Sequence, residues 1–141
     1  MCAEEYEFTE GDLNPEFLFT CFVERTKAEQ NYHAHDFIEI AVILKGKGGF
    51  YIDGKEYDVE QGNMIILNPG MYHRSLGSSD QGIAEFYMAF SGVEFQNCRP
   101  GYMPLFPGEK MLLQMPEKMK RDIFKLCMDS SVNKKCCNKN R

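Results

Sequence analysis

One short stretch, His33-x-His35-x-x-x-Glu39, combines two imidazoles and a carboxylate at alternate positions. Side chains of an extended chain alternate between faces, so these odd-numbered positions are expected to project the same way. A further imidazole, His73, follows the turn residues Pro69-Gly70 and completes the set of 3 histidines in the chain. Two imidazoles and a carboxylate with open positions suit iron, manganese or nickel, and a third imidazole is compatible with zinc. His33, His35, Glu39 and His73 are therefore a candidate metal site. A carboxylate inside an apolar fold needs a partner of this kind to stay charged.

The elements that must position these residues read as strands. Phe17 to Val23 is a rich apolar run, and Phe37 to Leu44 is a second, broken only by Glu39. Gly48 to Ile52, Asp53-Gly54 and Lys55 to Val59 form a hairpin pattern, since Asp-Gly tolerates the positive φ angles of a tight type I′ turn. In that register Phe50 faces Tyr57 and shares a face with Ile52 and Val59. Met64 to Leu67 lies between Gly62 and Asn68-Pro69-Gly70, and Ile83 to Phe90 is the last clear strand. Short strands at this spacing indicate an all-β sandwich or barrel.

Two strands carry more detail. From Phe37 to Leu44 one face holds Phe37, Glu39, Ala41 and Ile43, and the other holds Ile38, Ile40, Val42 and Leu44. A strand apolar on both faces must be covered on both sides. The barrel interior covers one; a carboxy-terminal helix or a second subunit is expected over the other. In the last strand Ala84, Phe86, Met88 and Phe90 make the more apolar inward face, which leaves Tyr87 outside.

After Phe90 the pattern changes. Pro100, Pro104 and Pro107 punctuate an irregular stretch, and Pro116 suits the first turn of a helix. Met119, Ile123, Leu126 and Cys127 recur at helical spacing, which predicts one amphipathic helix over about residues 116–130. The expected organisation is a single domain: a barrel over 1–92, its core strands in 16–92, then an irregular connection, the helix and a polar basic tail over 93–141.

Composition narrows the classes. A chain of 141 residues with 43% hydrophobic and 13% aromatic residues is globular. No apolar run approaches the length of a membrane span, and the first 20 residues do not read as a signal peptide, so a cytoplasmic protein without membrane contact is expected. The net charge is −5; the tail holds Lys134, Lys135, Lys139 and Arg141 with no acid, so residues 1–133 carry −9. An acidic body is a poor nucleic-acid binder by itself. The 6 cysteines include no Cys-x-x-Cys pair and read as ordinary reduced thiols.

With these residues in place, the chain resembles a cupin. The first motif of that family appears as His33-Ala34-His35-Asp36-Phe37-Ile38-Glu39, six residues and Gly46, and the second as Gly62, five residues, Asn68-Pro69-Gly70, two residues and His73. It departs at Lys27, where the motif has glycine, at Asn68, where it has proline, and at Gly77, where it has asparagine. A finer resemblance is to the amino-terminal effector-binding domain of AraC-type transcriptional regulators. It runs through His35 to Ile40, Leu44 to Gly48, Tyr51 to Tyr57, Gly62 to Met64, Leu67 to Gly70 and His73. The resemblance covers about residues 16–130 and is most diagnostic over 33–92.

What the resemblance implies is a double-stranded β-helix, or jelly-roll barrel, that binds a small effector such as a sugar or another small organic compound. It implies helices used for homodimerisation and a helix-turn-helix pair that contacts DNA; nothing after Ser130 supplies that pair. His35, Phe37, Glu39, Phe50, Tyr57 and His73 become candidate effector-pocket residues, although core packing is the default reading of the aromatic ones. A metal, zinc, nickel, iron or manganese, and an organic effector remain alternative occupants of the histidines. No catalytic residue is assigned. The competing class is a stand-alone metal-dependent oxygenase or isomerase using His33, His35, Glu39 and His73, and the motif departures favour the binding module.

Overall fold

The computed structural model describes residues 15–78, 80–95, 98–104, 112–119, 121, 122 and 125. The apolar and β-branched runs become strands β1 (Glu16–Arg25), β2 (Ile38–Lys45), β3 (Lys47–Ile52), β4 (Lys55–Glu60), β5 (Asn63–Leu67), β6 (His73–Gly77), β7 (Ile83–Ser91) and β8 (Leu112–Gln114). They form a five-stranded sheet in the order β1-β7-β2-β5-β8 and a three-stranded sheet in the order β4-β3-β6. All pairings are antiparallel. The chain is a mainly antiparallel jelly-roll barrel, as the strand pattern and motifs led one to expect.

The β3–β4 hairpin follows the sequence closely. Asp53 and Gly54 have φ of 44° and 83°, the left-handed pair that a type I′ turn requires, and Phe50 lies opposite Tyr57. Inside the barrel, Ala41 and Ile43 of β2 pack with Phe50, Ile52, Val59, Ile65, Leu67, Ile83 and Tyr87, residues drawn from both sheets. The other face of β2 is covered too: Val42 and Leu44 pack with Ala84, Phe86 and Met115. Met115 follows β8 and leads into helical residues 117–119, 121, 122 and 125. The described Met119 is 41% exposed. Ile123, Leu126 and Cys127, expected on the same face, lie outside the described residues, as does the basic tail.

Three expectations change. Ala41 pairs with Tyr87 and Ile43 with Glu85, so the inward face of β7 is Ile83, Glu85, Tyr87 and Ala89, and it is Ala84, Phe86 and Met88 that face outward. Directly paired residues share a face, and that register, set by β2, overrides the local hydrophobicity that had placed Tyr87 outside. β8 adds a strand from the stretch expected to be irregular. Cys21 is disulfide-bonded while Cys98 is free, so the reading of uniformly reduced thiols fails at Cys21.

The segment between β1 and β2, residues 26–37, is a strap that joins the edge of the larger sheet to the edge of the smaller one. It lies tight against β6. Gly77 has φ of +65°, and a Cβ there would sit 2.5 Å from the Lys27 carbonyl oxygen. Only glycine avoids both the backbone strain and the clash. Further along, Glu29 N donates to Ser75 O at 2.8 Å, and His33 forms an isolated antiparallel bridge with His73.

Candidate functional site

β2 begins only at Ile38, after a bend at Asp36 and Phe37, so the continuous strand face expected over 33–39 does not form. The strap carries His33 and His35, β2 carries Glu39, and β6 carries His73 at its first position. The bridge to β6 brings them together. The ligand-type atoms of His33, His35 and His73 lie within 4.8 Å of one another. Their rings pack with centroids 4.7 Å apart for His33 and His35, 4.5 Å for His33 and His73, and 5.3 Å for His35 and His73.

Glu39 is completely buried beneath them. Its Oε2 is 3.7 Å from His35 Nε2 and its Oε1 is 3.5 Å from His73 Nε2. Both separations exceed a good hydrogen bond. The ring orientation of two histidines is fixed from behind: Nδ1 of His33 is 2.8 Å from Asn31 O, and Nδ1 of His73 is 2.8 Å from Met71 O. A carbonyl oxygen only accepts, so each ring holds its N–H at Nδ1 and turns the Nε2 lone pair inward when neutral. The Nε2 atoms of His33 and His73 are buried and make no hydrogen bond. The three imidazole nitrogens, with carbonyl partners behind two rings, fit a divalent transition metal, and the Glu39 carboxylate, outside that cluster of three, adjoins it through His35 and His73. Such an ion, when bound, supplies a Lewis acid for carbonyl, hydroxyl or carboxylate oxygens.

Of the aromatic candidates, Phe37 reaches the centre. Its ring stacks on His35 at 4.5 Å with an interplanar angle of 10°, and Phe19 meets its other side edge-on at 5.6 Å. Phe50 is fully buried in the inner core, and Tyr57 packs half-buried against that core with Lys55 Nζ 5.2 Å from its ring centroid. Arg74 lies on the opposite face of β6 from His73, 6.0 Å from the Tyr51 ring centroid.

A second polar group, missed by sequence reasoning, lies deeper in the barrel. The fully buried Glu85 accepts from Tyr87 Oη at 2.6 Å, from Arg25 Nε at 3.0 Å and from the Ser75 hydroxyl. Arg25 also donates to Glu29 Oε1 at 3.3 Å, and Glu29 Oε2 accepts from Ser75 N at 2.9 Å. Burial works to lower the Arg25 pKa, but the facing Tyr87, Glu85 and Glu29 outweigh it and hold the guanidinium above its ordinary range. The available signal was Glu85 itself, one acid in an apolar strand, as Glu39 is in β2. Arg25 and Glu29 share a cleft of about 480 Å³ with Ala28, Gln30, Asn31, His33, Ala34 and His35. Neither Phe50 nor Tyr57 lines it.

Comparison with known proteins gives the following similarities. The sequence model described as the AraC-like ligand binding domain matches residues 20–131. The chain is 41% identical over 58 residues to an acireductone dioxygenase of Schizosaccharomyces pombe, covering 36% of this chain and 32% of that protein. It is 29% identical over 103 residues to an acireductone dioxygenase of Phaeosphaeria nodorum, covering 70% of this chain and 55% of that one. The chain thus spans between a third and a little over half of the length of these curated relatives. Among solved structures, a cupin protein from Bacteroides fragilis aligns with a TM-score of 0.46 and 24% identity, covering 60% of this chain and 69% of that one. A cupin-2 domain from Rhodospirillum rubrum aligns with a TM-score of 0.47 and 13% identity, covering 84% and 68%.

Proposed function

The chain belongs to the family of AraC-like ligand binding domains, and from that premise we propose that it is the effector-sensing part of a transcriptional regulator, with a divalent metal at the floor of its ligand site. His33, His35, Glu39 and His73 would hold zinc, nickel, iron or manganese. Phe37 forms the aromatic side of the centre, and Phe50 and Tyr57 support it from the core. The observation that carries the metal is the pair of buried Nε2 atoms on His33 and His73, turned inward by carbonyls behind each ring.

The regulator reading extends this. DNA contact belongs to a helix-turn-helix half outside this chain, homodimerisation to the carboxy-terminal region, and the working location is the cytoplasm. No helix among the described residues is long and apolar enough to cross a membrane. An effector bound at the cleft rests against the strap, and it changes the output only if its affinity differs between two strap arrangements.

A second reading is supported by the similarity over 103 residues to an acireductone dioxygenase. In that reading the same four ligands serve a metal-dependent oxygenase. The two readings separate in one experiment. The metal-loaded protein is screened by thermal shift against small metabolites and against an acireductone, and each mixture is then analysed for consumed ligand and dioxygen uptake. A sensor raises its melting temperature with a ligand recovered intact. Turnover of the acireductone with dioxygen uptake, lost in His73→Ala, would establish the enzyme and overturn the sensor.

A further inference from the structure

The hydrogen bonds around the cleft divide into satisfied acceptors and open donors. Glu85 takes bonds from Tyr87, Arg25 and Ser75, and Glu29 takes bonds from Arg25 and from Ser75 N. Glu29, the acid that lines the cleft, is thus engaged by the protein itself, and Glu85 lies behind Arg25 outside the lining. Arg25 differs. A guanidinium has five N–H donors; Nε–H goes to Glu85 and one N–H of its Nη2 to Glu29, and the remaining three have no partner among the described residues. Arg25 lines the cleft together with His33 and His35. A planar guanidinium with open N–H groups is suited to carboxylate oxygens.

From this we propose that the cleft binds a small carboxylate ligand, with a carboxylate at Arg25 and a second oxygen-bearing group, a 2-hydroxy or 2-oxo acid head, directed at the histidine centre. The inference deepens the proposed sensor reading and rests on its metal only for the second end. A donor-rich neutral polyol is the disfavoured alternative, because the Glu29 carboxylate that would accept its hydroxyl protons already takes bonds from Arg25 and Ser75 N. The cleft volume of about 480 Å³ suits a ligand of this size. Gln30 and Asn31, both exposed at the rim, are placed to discriminate by charge.

The test is calorimetric titration of the full chain, zinc-loaded and metal-free, with malate as the carboxylate probe and erythritol as the neutral probe, at constant ionic strength. Malate is expected to bind the zinc-loaded protein at least about tenfold more tightly than erythritol, and Arg25→Lys, which keeps the charge facing Glu85 but loses the planar fork, to weaken malate about tenfold. Asn31→Asp adds a negative charge at an exposed rim position; it is expected to weaken malate, leave erythritol unchanged and fold normally. Equal binding of the two probes, no malate binding in either form, or malate affinity unchanged in both variants would overturn the proposal. If the wild type takes up no zinc, the metal reading fails separately, and the dependence on Arg25 and Asn31 is read in the metal-free titration.

Discussion

His33 and His73 hold each other through reciprocal backbone hydrogen bonds, His33 N to His73 O at 3.1 Å and His73 N to His33 O at 2.8 Å. That one bridge turns a loop residue and a strand residue into neighbours, with His73 Nε2 3.5 Å from the buried Glu39 Oε1. It makes the strap over residues 26–37 part of the site rather than a cover for it.

The strap depends on the fit at Gly77. Alanine there meets the Lys27 carbonyl at 2.5 Å and must also adopt a φ of +65°. Gly77→Ala is expected to lower stability by about 1–3 kcal/mol in urea unfolding and to weaken metal binding, since the displaced strap carries His33 and His35. Wild-type stability and metal affinity would show that the strap does not depend on this contact.

Arg25 balances Glu85, a carboxylate with no exposure. Arg25→Gln leaves that carboxylate without its cation and is expected to cost about 3–5 kcal/mol. Adding Glu85→Gln should restore part of the loss, which a double-mutant cycle measures directly. Strictly additive losses would mean that the two side chains do not stabilise each other.

Phe50 distinguishes core from ligand contact. It is fully buried among Ile52, Ile65 and Tyr87. Phe50→Ala is expected to cost about 3–5 kcal/mol in urea unfolding, while Phe50→Leu should keep metal affinity. A stable Phe50→Ala variant with altered ligand binding would instead make Phe50 part of the pocket wall.

Local chemistry made some of this legible in the sequence and left the rest hidden. Asp53-Gly54 announces its turn because few other pairs accept two positive φ angles, and the two-faced β2 announces its double burial. The histidines and Glu39 stand out by type, although the bend at Asp36 and Phe37 and the bridge to β6 that gather them are tertiary features. β7 is apolar on both faces apart from Glu85, so its orientation is decided by pairing with β2 and by Arg25, a partner 60 residues distant from Glu85. β6, His73-Arg74-Ser75-Leu76-Gly77, has no β-branched residue, and its strand conformation comes from pairing with β3 and the strap. The cleft escaped notice for the same reason: its arginine and Glu29 become neighbours of the histidines only when the strap is laid across the barrel.

The metal content of the purified chain tests the central claim most directly. After incubation with zinc, nickel, iron or manganese and exhaustive dialysis, the wild type is expected to retain about one divalent ion per chain, and His73→Ala and Glu39→Gln to bind it at least about tenfold more weakly. A wild type that retains none of these ions, or variants that retain as much as the wild type, would contradict a metal centre at His33, His35, Glu39 and His73.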